Sequence, residues 1–119
     1  CAEGATLQIG KNSSINVNSQ VICMNHIALG ENVMLSWDDL LMDSDFHPIQ
    51  EDEIEKPVSR PITIGDNVWI GCRTTILKGC SVPNGCIIAA NSTVTKTYQE
   101  EHCLITTSGV VKHNVFWKR

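Results

Sequence analysis

From Ile64 onward an aliphatic side chain returns every six residues: Ile64, Ile70, Ile76, Val82, Ile88, Val94. Four places after each of the first five stands a small or β-branched residue, namely Val68, Thr74, Cys80, Cys86 and Ser92. The N-terminal part keeps the same interval in shorter runs: Cys1 and Leu7, then Ile9, Ile15, Val21, then Leu29, Leu35, Leu41. A period of six matches neither a helix nor a plain alternating strand. It fits a short strand followed by a bend, with positions i and i+4 turned inward because side chains alternate along a strand. Three such units close a triangular coil of about 18 residues, and stacked coils pair in parallel, each resting on its neighbours. The sequence therefore predicts one all-β domain, a parallel β-solenoid.

The joints between units repeat as well. LQIGKN, IALGEN and ITIGDN share an aliphatic-x-aliphatic-Gly-charged-Asn pattern, with Ile9, Leu29 and Ile64 at the second aliphatic place. Gly and Asn suit the tight backbone of a turn. Ile9 to Leu29 is one coil plus two residues, whereas Leu29 to Ile64 is one coil plus 17. The surplus predicts a loop over 42–61 extruded between coils at 1–41 and 62–97, followed by a C-terminal tail over 98–119. Insertions from a solenoid corner often carry function. This one, MDSDFHPIQEDEIEKP and its flank, holds His47 among acids.

Eight of the 13 acidic residues lie between Asp38 and Glu55, and eight of the nine Lys and Arg at or after Lys56. The net charge of −4 argues against nucleic acid as a partner. An anionic ligand is expected on the C-terminal half, away from the acidic loop. No apolar run approaches the ~20 residues of a membrane span. The six cysteines show no Cys-x-x-Cys or His/Cys metal spacing, so no metal is expected. Cys80 and Cys86 fall on inward positions where a reduced thiol is a small apolar filler, which points to a reduced, cytoplasmic protein. The chain does not begin with Met and its first residues already keep the repeat, so further sequence is expected ahead of Cys1.

The stretch PITIGDNVWIGCRTTILKGCSVPNGCIIAANSTVTK, 61–96, strongly resembles the hexapeptide-repeat, or left-handed β-helix, acyltransferases. WDDLLMDSDFHPI, 37–49, resembles the loop that carries their catalytic histidine, and VVKHNVFWKR resembles the tail of one branch. That branch comprises the colanic-acid and capsular-polysaccharide O-acetyltransferases, akin to the galactoside and maltose acetyltransferases. The left hand of the coil comes only from this resemblance, since parallel crossovers are otherwise nearly always right-handed.

The resemblance implies acetyl transfer from acetyl-CoA to a sugar hydroxyl, in homotrimers with active sites in the clefts between subunits. His47 matches the catalytic base, a role that suits an imidazole near neutral pH. Asp43 and Asp45 flank it, and either is a candidate to orient its ring, Asp45 slightly favoured. Trp37 is a candidate for the acceptor pocket. Trp69, which alternation turns outward, is expected to lie under a neighbouring subunit or a ligand. The turn at Gly71 and Cys72 matches the oxyanion-binding turn. Cys72 is not taken as a nucleophile, because direct transfer needs none. By resemblance Ala90 and Thr95 meet the pantetheine arm and Lys96 the CoA phosphates, with Lys112 and Arg119 as further positive charges.

Two turns depart from the family pattern. Ala89 and Asn91 replace glycines, and ITTSGVV after Leu104 replaces a Gly-Asn-Pro-Ala turn. Both lie on the CoA side and are the best support for a rival reading, a non-catalytic assembly module, against which His47 and Trp69 stand. The γ-type carbonic anhydrases share the fold but bind zinc through three histidines, and His26, His47, His102 and His113 include no close pair. A regular Thr-x-Thr ice-binding face is also absent.

Overall fold

The structure, a computed structural model, describes residues 1–119 and contains strands but no helix. Three parallel ladders form the faces of an elongated prism measuring 44 × 29 × 22 Å. The first face stacks Thr6–Ile9, His26–Leu29, Ile62–Ile64 and Ser81–Val82. On the second face lie Ser14–Ile15, Met34–Leu35, Trp69–Ile70, Ile87–Ile88 and Leu104–Thr106. The third comprises Gln20–Ile22, Leu40–Met42, Thr75–Leu77 and Thr93–Val94. Ile9 pairs with Leu29, Leu29 with Ile64 and Ile64 with Val82, so the repeated joints fix the register.

The predicted inward positions form the core. Ile64, Ile70, Ile76, Val82, Ile88 and Val94 are buried, and so are Val68, Thr74, Cys80, Cys86 and Ser92 between them. Each large aliphatic side chain removed from water contributes roughly 1.5–3 kcal/mol. Ile9 and Ile15 occupy the same pattern yet are 49% and 39% exposed. They lie on the first of the coils within residues 1–119, where a coil packs against them from one side. All six cysteines are free thiols, and Cys23 and Cys103 join Cys80 and Cys86 in the core.

At the first corner Asn12, Asn32, Asn67, Gly85 and His102 stack in left-handed backbone, with φ between 55° and 74°. Asn18, Asp38, Arg73 and Asn91 do the same at the second corner. Seven of these nine are Asn, Asp or Gly, the residues that tolerate this region best, and His102 and Arg73 are the exceptions. Of the two altered turn positions near residue 90, only Asn91 needs such backbone, so Ala89 imposes no strain. The joint glycines have a separate reason: a Cβ on Gly30 would sit 2.7 Å from the Gly65 carbonyl oxygen of the next coil.

The segment 42–61 leaves at the third corner as a two-stranded arm. Ile49–Glu51 pairs antiparallel with Ile54–Lys56, turning at Asp52 and Glu53, both with positive φ. Such a two-residue turn matches the twist of its strands. The remainder, 98–119, does more than trail off. Leu104–Thr106 adds a rung, burying Ile105 over Ile88, because Ile105 resumes an inward position. The chain then reverses through Gly109 and pairs Gly109–Lys112 antiparallel to that rung. Finally it descends the first corner as a strap. Val115 N–H donates to His102 O at 2.8 Å, Trp117 Nε1 to Asn67 O at 2.6 Å, and Arg119 Nε to Asn32 Oδ1 at 2.8 Å.

Candidate active site

The second corner holds an apolar cavity of about 430 Å³ lined by Ser36, Trp37, Trp69, Gly71, Cys72 and Ala90 among others. The stacking of coils explains the gathering: Trp37, Gly71–Cys72 and Ala90 each follow a second-face strand in successive coils. Gly71 forms part of the wall because the next coil presses on it. A Cβ there would lie 2.6 Å from Ala90 N and 2.9 Å from Ile88 O. Gly71 N–H itself donates to Ile88 O at 2.8 Å and is committed to the ladder. The N–H groups of Trp37, Cys72 and Ala90 have no protein partner; those of Cys72 and Ala90, on adjacent coils, are the pair this corner can offer an oxyanion.

Trp69 Nε1 donates to Ser36 Oγ at 3.2 Å, and the Trp117 ring packs against Trp69 with centroids 6.1 Å apart. The cover over Trp69 within the chain is thus its own C-terminal strap. Below this corner lies Asp39, 1% exposed. Its Oδ1 accepts from Thr74 N–H at 2.9 Å, while Oδ2 has no partner. Burial, opposed by the backbone hydrogen bonds, pushes its carboxyl up to about 6.

His47 lies elsewhere, on the arm at the third corner, exposed and with no hydrogen-bond partner for its ring. Phe46 precedes it in left-handed backbone with φ 65°, a kink that sets where the ring leaves the arm. Neither flanking acid holds the imidazole. Asp43 is fully buried at the root of the arm, where its carboxylate accepts from the N–H groups of Met24, Asn25 and His26 at 2.8, 2.8 and 2.9 Å. Asp45 pairs with Lys78, whose Nζ also donates to Pro57 O at 2.6 Å. Both carboxylates brace the arm.

A second cavity, about 450 Å³, opens under the arm between Asp45, Glu51, Lys56, Arg60, Lys78 and Thr95. Thr95 is therefore at the third corner, whereas Ala90 is at the second, with strand Thr93–Val94 between them. Lys96 is exposed next to Thr95. Lys112 is exposed on the last strand opposite Leu104, which lines the apolar cavity. Arg119 is fixed at the far end of the first corner, where its guanidinium reaches Asn32 Oδ1 and Asn12 O, remote from either cavity. The structure thus brings together Trp37, Trp69, Gly71, Cys72 and Ala90, and separates them from His47, Asp43, Asp45, Thr95 and Lys96. Ser36 and Trp117 escaped the sequence reading. Ser36 carries no signal, while an aromatic residue in a charged tail was a usable one.

Residues 61–96 match the family model "Bacterial transferase hexapeptide (six repeats)". The galactoside O-acetyltransferase of Escherichia coli K12 is 33% identical over 96 residues, 78% of this chain and 46% of that protein. Among solved structures, the polySia-specific acetyltransferase NeuO superposes with a TM-score of 0.88 at 29% identity, over 95% of this chain and 54% of that one. The maltose O-acetyltransferase of Clostridium difficile 630 gives 0.78 at 29% identity, over 90% and 58%. The chain spans about half the length of the curated relatives it matches. Its parallel coils, repeat and relatives together make it a left-handed parallel β-helix, and the chain belongs to the hexapeptide-repeat acyltransferases.

Proposed function

We propose that the protein is an acetyl-CoA-dependent O-acetyltransferase that modifies a sugar hydroxyl in surface-polysaccharide biosynthesis, in the cytoplasm. The observation that carries this reading is the division of the machinery between two corners. The cavity at the second corner offers apolar walls and unengaged N–H donors but no base. The arm at the third corner offers an exposed imidazole but no donor pocket for an acyl group. Copies of the chain arranged as a homotrimer would set the arm of one against the cavity of the next. The arm carries Phe46, Ile49 and Ile54 largely exposed, as a surface that docks on a neighbour would.

In that cleft His47 removes the proton as the acceptor oxygen attacks the thioester carbonyl. The N–H groups of Cys72 and Ala90 hold the oxyanion, and the imidazolium returns its proton to the departing CoA thiolate. Trp37 and Trp69 wall the reacting groups from water. Lys96 and Lys112 offer charge to the CoA phosphates. The acidic arm points to a neutral acceptor, whereas Lys56, Arg60 and Lys78 beneath it suit a carboxylate-bearing sugar.

Thiol release from acetyl-CoA tests the reading, over a panel running from neutral galactosides and maltosides to sialic-acid polymers, for wild type and His47→Ala. We expect sugar-dependent turnover that falls at least ~100-fold in the variant, as loss of a general base should give. Equal turnover in the variant would remove His47 from the mechanism. Absence of both turnover and CoA binding would favour the non-catalytic module.

A further inference from the structure

At the C-terminal end of the coil the fold assembles three donor atoms that the sequence keeps apart. Glu100 and Cys103 precede the last rung and His113 follows the antiparallel strand. Cys103 Sγ lies 3.0 Å from Glu100 Oε2 and 3.8 Å from His113 Nδ1, Glu100 Oε2 also meets Nδ1, and the three atoms fall within 4.8 Å of one another. We propose that Glu100, Cys103 and His113 bind one thiophilic divalent cation, Zn²⁺ foremost, which staples the C-terminal strap to the end of the solenoid.

The convergence separates this site from a nucleophile relay. A relay needs the carboxylate on one imidazole nitrogen and the thiol on the other. Here both groups address Nδ1, so the donors point at a common centre. In a tetrahedral site with zinc–sulfur and zinc–nitrogen bonds of ordinary length, sulfur and nitrogen stand about 3.5 Å apart. The observed 3.8 Å needs little change, and the exposed Glu100 side chain is free to open. One sulfur, one imidazole and one carboxylate suit zinc rather than magnesium or calcium, which take oxygen donors. A thiolate and a carboxylate also neutralise a double positive charge, and a water completes the shell from the solvent side.

The frame holds the donors in place without the ion. Cys103 O accepts from Ile87 N–H at 2.9 Å, Lys112 pairs with Leu104, and Val115 N–H donates to His102 O at 2.8 Å, so His113 is bracketed on both sides. The strap that follows carries Phe116 against His102 and Trp117 against Trp69. An ion at His113 would therefore hold the strap closed over the wall of the apolar cavity.

The test is titration of the metal-free chain with Co²⁺ and then Zn²⁺, read by absorption and by resistance of the C-terminus to carboxypeptidase. We expect one equivalent of cobalt to give a sulfur-to-cobalt charge-transfer band that zinc displaces. The band should be lost in Cys103→Ser, and affinity should fall at least ~10-fold in His113→Ala and in Glu100→Gln. These last two change exposed side chains and keep the fold should the cysteine variant fail to form. Zinc should slow trimming of the strap in wild type and not in His113→Ala. No band, cobalt affinity unchanged in both exposed variants, or binding without protection of the strap would overturn the proposal. None of these readings depends on acyl transfer.

Discussion

Asp43→Asn distinguishes a brace from a catalytic partner at the root of the arm. The Asp43 carboxylate is buried and accepts three backbone N–H groups, from Met24, Asn25 and His26. A hydrogen bond to a charged acceptor contributes about 1.5–3 kcal/mol. Asparagine keeps one oxygen. Its best placement retains the bonds to Asn25 and His26 and turns its amide NH₂ onto the Met24 N–H, a buried donor against a donor. The expected cost is about 2–3 kcal/mol for Asp43→Asn and at least about 4.5 kcal/mol for Asp43→Ala, which loses all three bonds. For a domain of this size 1 kcal/mol moves the midpoint by about 4 °C. Thermal melts by circular dichroism should therefore fall by about 8–12 °C and by about 18 °C or more. Turnover assayed well below those midpoints should change much less than in His47→Ala. A midpoint within about 2 °C of wild type, with turnover lost, would refute the brace and make Asp43 the orienting partner of His47.

Asp39 predicts a pH dependence of stability. Its carboxyl titrates near 3.8 in the unfolded chain and at about 6 in the folded one. The folded state therefore holds the proton longer, and the stability this contributes is full below about pH 4 and lost as pH rises to about 6, in total about 1–3 kcal/mol. Urea midpoints of wild type minus Asp39→Asn, taken from pH 4 to 7, should fall over that window; a difference that rises with pH would contradict it. Gly71→Ala places a methyl 2.6 Å from Ala90 N and 2.9 Å from Ile88 O. Because both neighbours are backbone, we expect a loss of about 1–3 kcal/mol and weakened CoA binding, measured by thermal melts and calorimetry.

Much of the frame is legible in the chain alone. The six-residue beat names the inward side chains from Ile64 to Val94, and the three glycine-bearing joints set Ile9, Leu29 and Ile64 in register. Likewise the 17-residue surplus locates the arm. These features are local: the direction of a side chain within a coil follows from its place between two bends. What lies against that side chain does not. Ile9 and Ile15 carry the inward pattern, but within residues 1–119 a coil packs against them from one side alone, and burial needs one on each. Trp69 faces outward as alternation requires, yet only the descent of the strap puts Trp117, 48 residues later in the chain, against it.

The site divides in the same way. Family motifs mark Trp37, Gly71, Cys72 and Ala90, and stacking gathers them because each follows a second-face strand in its own coil. His47 and its acidic neighbours are adjacent in sequence, and that adjacency suggested a dyad. In space Asp43 turns into the corner to meet three N–H groups and Asp45 turns to Lys78. Glu100, Cys103 and His113 show the converse, being spread along the chain and joined by one reversal at Gly109. The sequence by itself determined the coil, its inward positions and its register, since these repeat at a fixed interval. The tertiary structure alone decided which polar groups meet, since their partners come from other coils and from a strap that follows no repeat.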